Sequence, residues 1–469
     1  MYLGKAVHEN NMFFMEPQSL LRHSVVLGNS GCGKTIASKV IVEEALLKGI
    51  PVIAVDPQGD ISSMGLESND EAWNSQVETA VWTPASSAGI PICLDPLIYS
   101  EIKNLSPEDQ CKAISSMSKS LVELIAPKST KKGDIEAYLD LCLQWIVGNR
   151  LNIENMEGFA NFLEELHPIL EPHVERVISP SLRKDVLKKF HILLTGSSKL
   201  LFNYGSTLSI EELITPSDNT KTRLSVLYLN TLQSQEEKAF FVNRLLYKIY
   251  NWMLKNPSDK PQLLFYMDEV APYIPPVRVT VCKRYFDLLL RQGRKYGVCA
   301  LLSTQNPGDI DYKIISQVST WFLGKMITSQ DIKKVENAIR SNTINTEKVI
   351  RALPQLKSGG FYCISPSLDK PSLIQFRFTR TPHVTLCEKD IEEIPIPLGL
   401  KDISPIGRDL YDVPIIRETG AKRKETYPSR SSYRRGNNKL STEFGMYQHV
   451  ADLQEVTKVI EGIKFNISI

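Results

Sequence analysis

His23-Ser24-Val25-Val26-Leu27-Gly28-Asn29-Ser30-Gly31-Cys32-Gly33-Lys34-Thr35-Ile36 decides the fold of this 469-residue chain. Gly28 to Thr35 carries G-x-x-x-x-G-K-[ST] at every fixed position. The apolar run before it predicts a buried strand. The run after it, Ile36 to Lys48, sets Ile36, Val40, Ile41, Ala45 and Leu46 at helical spacing. Strand, glycine-rich loop and helix let the backbone N–H groups of Gly28 to Ile36 surround phosphate oxygens at a helix N-terminus. Lys34 is then the cation for the outer phosphates of ATP, and Thr35 the hydroxyl ligand of Mg2+. Cys32 holds a variable position where small residues fit, and reads as packing rather than redox chemistry.

The bulk composition bounds what surrounds this loop. A chain of 469 residues exceeds what one core usually carries, so two or three structural units are expected. A net charge of +2 says nothing about partners, so any nucleic-acid surface must come from local clustering. The cysteines at 32, 93, 111, 142, 282, 299, 363 and 387 are dispersed, without C-x-x-C or zinc spacing. Dispersed thiols and the lack of a signal peptide or long apolar run predict a cytoplasmic protein.

Strand and helix signals alternate outward from the loop. Strands are expected at Pro51–Val55, Ala80–Thr83, Leu224–Leu229, Leu263–Met267, Val298–Ser303 and Trp321–Gly324, with a closing hairpin at Phe361–Ile364 and Ser372–Phe378. Helical patterns replace them over Pro107–Ile125, Asp134–Val147, Met156–Leu166 and Ser181–Leu194. The fold class is therefore α/β, with a mostly parallel sheet, a helical insertion and a C-terminal helical tail. The expected divisions are an N-terminal segment at 1–23, a core at 24–98 and 199–400, the insertion at 99–198, a basic linker at 401–440 and the tail at 441–469. Within the linker, residues 421–439 hold seven Lys/Arg against one Glu, a composition that cannot bury a core.

Hydrolysis needs a second half to the site. Leu264-Phe265-Tyr266-Met267-Asp268-Glu269 delivers two carboxylates to the end of an apolar strand, where ligands sit in an open α/β sheet. Asp268 is expected in the Mg2+ shell and Glu269 as the group that polarises the attacking water. Thr304-Gln305 ends the next strand, and Gln305 is the candidate γ-phosphate sensor. Arg291, Arg294 and Lys295 share one short helix. On physical grounds alone they form a solvated basic helix end, favoured by the dipole.

Taken in order, these segments resemble the HerA/FtsK superfamily of RecA-like hexameric motor ATPases, and within it the HerA-type DNA translocases. The resemblance spans roughly residues 20–385. It rests on His23 leading into Gly28–Thr35, Val55-Asp56-Pro57-Gln58-Gly59-Asp60, Met267-Asp268-Glu269-Val270-Ala271-Pro272-Tyr273-Ile274-Pro275, Arg291-Gln292-Gly293-Arg294-Lys295-Tyr296-Gly297, Ser303-Thr304-Gln305-Asn306-Pro307, Leu353-Pro354-Gln355-Leu356 and Gly359-Gly360. It implies a RecA-like P-loop core, Glu269 as the catalytic glutamate, Arg294 as an arginine finger acting on a neighbouring subunit with Arg291 as the alternative, and Asp56 near the metal. It also implies a homo-hexamer that pumps double-stranded DNA through its pore, acting with a nuclease or other effector in DNA end processing or anti-phage defence.

The chain departs from the family at two places. Gln58 and Asp60 stand where the family usually has His and Glu. About 23 residues precede the first expected strand, too few for the family's N-terminal barrel. Two other readings share the ATPase chemistry: a motor for protein substrates, and a nucleotide-held ring that scaffolds an effector enzyme. DNA contacts are expected from Arg278, Lys283 and Arg284, from the loop 308–313, or from the basic stretch at 421–439.

Overall fold

The computed structural model describes residues 1–94, 102, 105–153, 155–339 and 346–400. The expected basic linker and helical tail lie outside the described residues. The strands are β1 (Tyr2–Ala6), β2 (Met12–Phe14), β3 (Ser24–Leu27), β4 (Val52–Asp56), β5 (Val77–Pro84), β6 (Ile90–Cys93), β7 (Ser206–Thr207), β8 (Thr222–Tyr228), β9 (Leu263–Met267), β10 (Val298–Thr304), β11 (Thr320–Leu323), β12 (Gly360–Ile364) and β13 (Ser372–Phe376). They form one sheet in the order β2-β1-β13-β12-β11-β3-β10-β9-β4-β8-β5-β6-β7. From β11 to β7 every pairing is parallel. The far side closes with antiparallel pairs, β11 with β12, β12 with β13, β13 with β1 and β1 with β2.

All residues of β3, β4, β9 and β10 are buried, as a sheet covered on both faces requires. Successive side chains point to opposite faces and enter two separate apolar clusters. Leu263, Phe265 and Met267 of β9 join Phe240, Leu245, Phe286 and Leu289 on one face. Leu264 and Tyr266 join Val40, Ile41 and Ala45 on the other. Those last three belong to α1 (Lys34–Leu46), the helix that follows the glycine-rich loop.

Between β6 and β7 the described elements are helical, including Pro107–Ile125, Lys132–Gly148, Met156–Glu164 and Pro180–Thr195. Side-chain caps at Ser106, Asn155 and Ser179 start three of them. The insertion shares the core's apolar cluster, with Ile114, Met117 and Leu139 in the same body as Phe240 and Phe241. A buried bond from Asn243 Nδ2 to Ser120 Oγ at 2.6 Å crosses between them.

The first strand is further upstream than expected. β1 begins at Tyr2 and pairs with β13, so the opening residues belong to the sheet. Its partner lies about 370 residues away, which a local hydrophobic pattern cannot reveal. Gly4 fits there because a Cβ would lie 2.0 Å from the Gln375 carbonyl oxygen.

After β13 the chain runs back along α1 as an irregular strap. Arg377 donates from Nη1 to Glu43 Oε2 and from Nη2 to Glu44 Oε1, both at 2.8 Å. Glu43 is fully buried, and its Oε1 also accepts from Arg380 N, Thr381 N and Thr381 Oγ1 at 2.8–2.9 Å. A buried carboxylate is tolerated only with this much compensation. Arg377→Ala removes the nearest cation from two buried carboxylates, leaving Glu44 only the Arg380 guanidinium at 3.8 Å, and is expected to cost about 3 kcal/mol of stability. Chemical denaturation checks this, and a change below about 0.5 kcal/mol contradicts the role given to the pair.

Candidate active site

Parallel register brings four strand ends to one edge. Leu27 lies beside Thr304, Leu302 beside Met267 and Met267 beside Val55. Asp56, Asp268, Glu269, Gln305 and the glycine-rich loop therefore all emerge at the carboxyl edge of β4, β9, β10 and β3. A pocket of about 510 Å³ opens there, between the loop, the Asp268-Glu269 corner and Gln305. Its size is ordinary for a nucleotide-sized ligand.

The loop's shape needs its glycines. Gly31 and Gly33 have φ of +75° and +95°. A Cβ on Gly33 would also lie 3.1 Å from Gly359 N. Gly359 N donates to Cys32 O at 2.9 Å, and Ser358 Oγ to Gly31 O at 3.2 Å, so the turn before β12 braces the loop. On the other flank Asn29 N donates to Lys325 O at 2.9 Å, and Ile327 N to Asn29 Oδ1 at 3.2 Å. Lys34 Nζ rests on Asn29 O at 3.3 Å. Ser30, Thr35 and Ile36 line the pocket with Lys34. Cys32 is buried, and burial pushes its thiol above the ordinary range, as a packing residue requires.

Glu269 carries the one strained backbone in the corner, with φ of +52°. Its carboxylate accepts from Thr304 Oγ1 at 2.7 Å and from Gln305 N at 3.3 Å. Two donors on the neighbouring strand thus fix where this carboxylate points. Thr304 was missed as a positioning group in the sequence reading. A hydroxyl ending the strand beside Asp-Glu was the available signal.

Asp268 is almost fully buried, at 8% exposure. Burial first, then the Asp56 charge, pushes its pKa up to about 7, against a 2.9 Å bond donated by Tyr266. A carboxylate so disfavoured alone suits a site that receives a cation. No cluster of three or more metal-ligating side chains exists among the described residues. The Asp268 carboxylate and the Thr35 hydroxyl are hard oxygen donors that would hold Mg2+ together with phosphate oxygens and water. Such an ion would neutralise charge on the outer phosphates.

Asp56, expected near the metal, is engaged by its own turn. Asp56 is fully buried, and its Oδ1 accepts from Gln58 N and Gly59 N at 3.2 and 2.7 Å. Its Oδ2 accepts from Ile61 N, Ser62 N and Ser62 Oγ at 3.0, 2.7 and 2.7 Å. Five donors saturate the carboxylate, so its work is to fold the turn that aims Gln58 and Asp60 into the pocket.

Arg294 is not brought into this pocket. It is exposed on the short turn of helix before β10, at the amino edge of the sheet. The length of β10 puts roughly 20 Å between it and Gln305 of the same chain. Arg291 is bound to Asp287 at 2.7 Å. His23 ties this end together: it is buried, and its Nδ1 accepts from Ala300 N at 3.1 Å. Burial lowers its pKa to about 4, so it stays neutral.

Residues 3–388 match the family described as Helicase HerA-like C-terminal. The chain belongs to that family. It is thereby an ATP-hydrolysing enzyme with a RecA-like P-loop fold. The probable DNA double-strand break repair helicase HerA of Methanocaldococcus jannaschii is 21% identical over 386 residues, which cover 78% of this chain and 74% of that protein. VirB4 of Thermoanaerobacter pseudethanolicus superposes with a TM-score of 0.58 at 13% identity, over 80% of this chain and 96% of that one. The plasmid coupling protein TrwB, in complex with ADP and Mg2+, superposes with a TM-score of 0.51 at 14% identity, over 79% of this chain and 88% of that one. Among the described residues no helix is long and apolar enough to cross a membrane.

Two outcomes follow from this geometry. Thr304→Val should lower kcat about tenfold or more with KM nearly unchanged, because it frees the Glu269 carboxylate without touching the loop. A raised KM with normal kcat contradicts that. Asp268 favours its protonated form in the folded state. The stability this gives is complete below its ordinary value of 3.8 and is lost as pH rises through about 7. Nucleotide-free Asp268→Asn should therefore melt above wild type, with the gap widening from about pH 5 to about pH 8. A gap that does not change with pH goes against the assignment.

Proposed function

We propose that this chain is an ATP-driven translocase for double-stranded DNA, working as a homo-hexameric ring and serving a nuclease or other effector in DNA end processing or anti-phage defence. The observation that carries the ring is the distance between the two halves of the catalytic set. Lys34, Thr35, Asp268, Glu269 and Gln305 share one edge of the sheet, while Arg294 sits exposed at the other. A neighbouring copy that presents its Arg294 to this pocket would complete the site, with ATP and Mg2+ at each subunit boundary. Family membership supports duplex DNA as the substrate.

For DNA, the supporting surface is the loop after β9. Val277 and Val279 are 92% and 82% exposed on either side of exposed Arg278. Lys283 is not available in the same way, since its Nζ is bound to Asp311 Oδ2 at 2.9 Å. Arg278 and the loop backbone are the groups proposed to follow the phosphate chain.

The reading predicts ATP hydrolysis stimulated by duplex DNA. Lys34→Ala should abolish it. Glu269→Gln should lower kcat by about a hundredfold or more while ATP still binds. Arg294→Ala should be inactive alone, yet mixing it with Lys34→Ala should restore hydrolysis, because mixed boundaries pair an intact loop with an intact arginine. Failure of every mixture to recover activity, or hydrolysis indifferent to DNA, sinks the reading.

A further inference from the structure

The strap after β13 has a feature that its packing role does not use. It is anchored on both sides of a three-residue arch. Before the arch, Lys39 Nζ donates to Pro382 O at 3.1 Å, and Ser68 Oγ to Arg380 O at 2.7 Å. After it, Leu386 N donates to Gly59 O at 3.0 Å, and Tyr228 Oη to Leu386 O at 3.3 Å. Between the anchors His383, Val384 and Thr385 are exposed, and all three line the phosphate pocket. Thr385 Oγ1 donates to Asp60 Oδ1, which fixes the arch to the turn that Asp56 folds.

The arch lines the pocket together with Asp60, Asp268 and Glu269, where the phosphate-loop reading puts the outer phosphates. Asp60 is its partner, and the Asp56 turn leaves β4 beside the end of β9 that carries Asp268 and Glu269. Lys39 links the same groups. It is fully buried on α1, donates to Ser63 Oγ at 2.6 Å, and feels the charges of Asp56, Asp60 and Asp268. Burial, then the Lys39 charge, holds His383 below the ordinary histidine range, so near pH 7 it presents a neutral ring with one N–H donor.

We propose that His383 is a nucleotide-contact residue. From the anchored arch it donates a hydrogen bond to the outermost phosphate of bound ATP and so separates triphosphate from diphosphate. Anchoring the backbone of the arch before the ligand arrives lowers the ordering cost of binding, and a bond to an anionic phosphate oxygen is a strong one. The proposal rests on the phosphate-loop reading of the pocket.

The test measures binding of Mg-ADP and of a non-hydrolysable Mg-ATP analogue to full-length wild type, His383→Ala, His383→Gln and Lys34→Ala. His383→Ala should weaken the ATP analogue about tenfold and ADP by less than about twofold. His383→Gln, which keeps an N–H donor, should recover most of the loss. Equal weakening of both nucleotides, or of neither, overturns the contact while Lys34→Ala still loses both. Wild-type binding by Lys34→Ala would instead remove the pocket reading itself, and the proposal with it.

Discussion

Everything at this site depends on the in-phase parallel pairing of β3, β10, β9 and β4. Each strand contributes one local corner and no more: the loop, Gln305, the Asp268-Glu269 pair and the Asp56 turn. Thr304 meets Leu27, and Met267 meets both Leu302 and Val55, so the corners surround one pocket. A slip of one residue in any pair would turn its side chains to the opposite face and dismantle both apolar clusters. The hydrophobic pattern that buries the sheet is thus the same constraint that assembles the chemistry.

Buried charge does the finer positioning. Asp56 spends its carboxylate on five donors of one turn, and that turn carries Gln58 and Asp60 to the pocket. Glu43 gathers Arg377, Arg380 and Thr381 and holds the strap against α1. Lys39 joins both, through Ser63 and Pro382. Asp268 is the exception, since Tyr266 is a modest partner for so buried a carboxylate. Burial and the Asp56 charge raise its pKa to about 7, so its charged form is the least compensated of these buried groups.

The sequence was most legible where function is local. A glycine-rich loop between strand and helix, and an apolar strand ending in Asp-Glu, each announce their geometry over a few residues. The helices of the insertion were legible from their local helical patterns; the caps at Ser106, Asn155 and Ser179 that start three of them were not read. The turn that Asp56 folds was not legible, because a carboxylate ending a strand looks alike whether it faces a metal or folds its own turn. β1 was missed because its place in the sheet is set by β13, a partner at the other end of the core. The short strands β6 and β7 were missed as well, β6 being an apolar run of only four residues. The strap was invisible because its anchors on Glu43, Gly59 and Asp60 are all long-range. α1 held one unread signal: a lysine inside a helix buried from Ala37 to Leu46 must have internal acceptors.

The central claim is that one chain holds only half of a catalytic set, which a ring of identical copies completes around duplex DNA. Particle imaging of the full-length protein with an ATP analogue, Mg2+ and a short DNA duplex tests this most directly. The account predicts six-fold rings with the duplex in the central pore and Arg294 of each subunit facing the phosphate pocket of the next. Monomers that leave the duplex free, or rings whose boundaries lie away from the pocket, would contradict it.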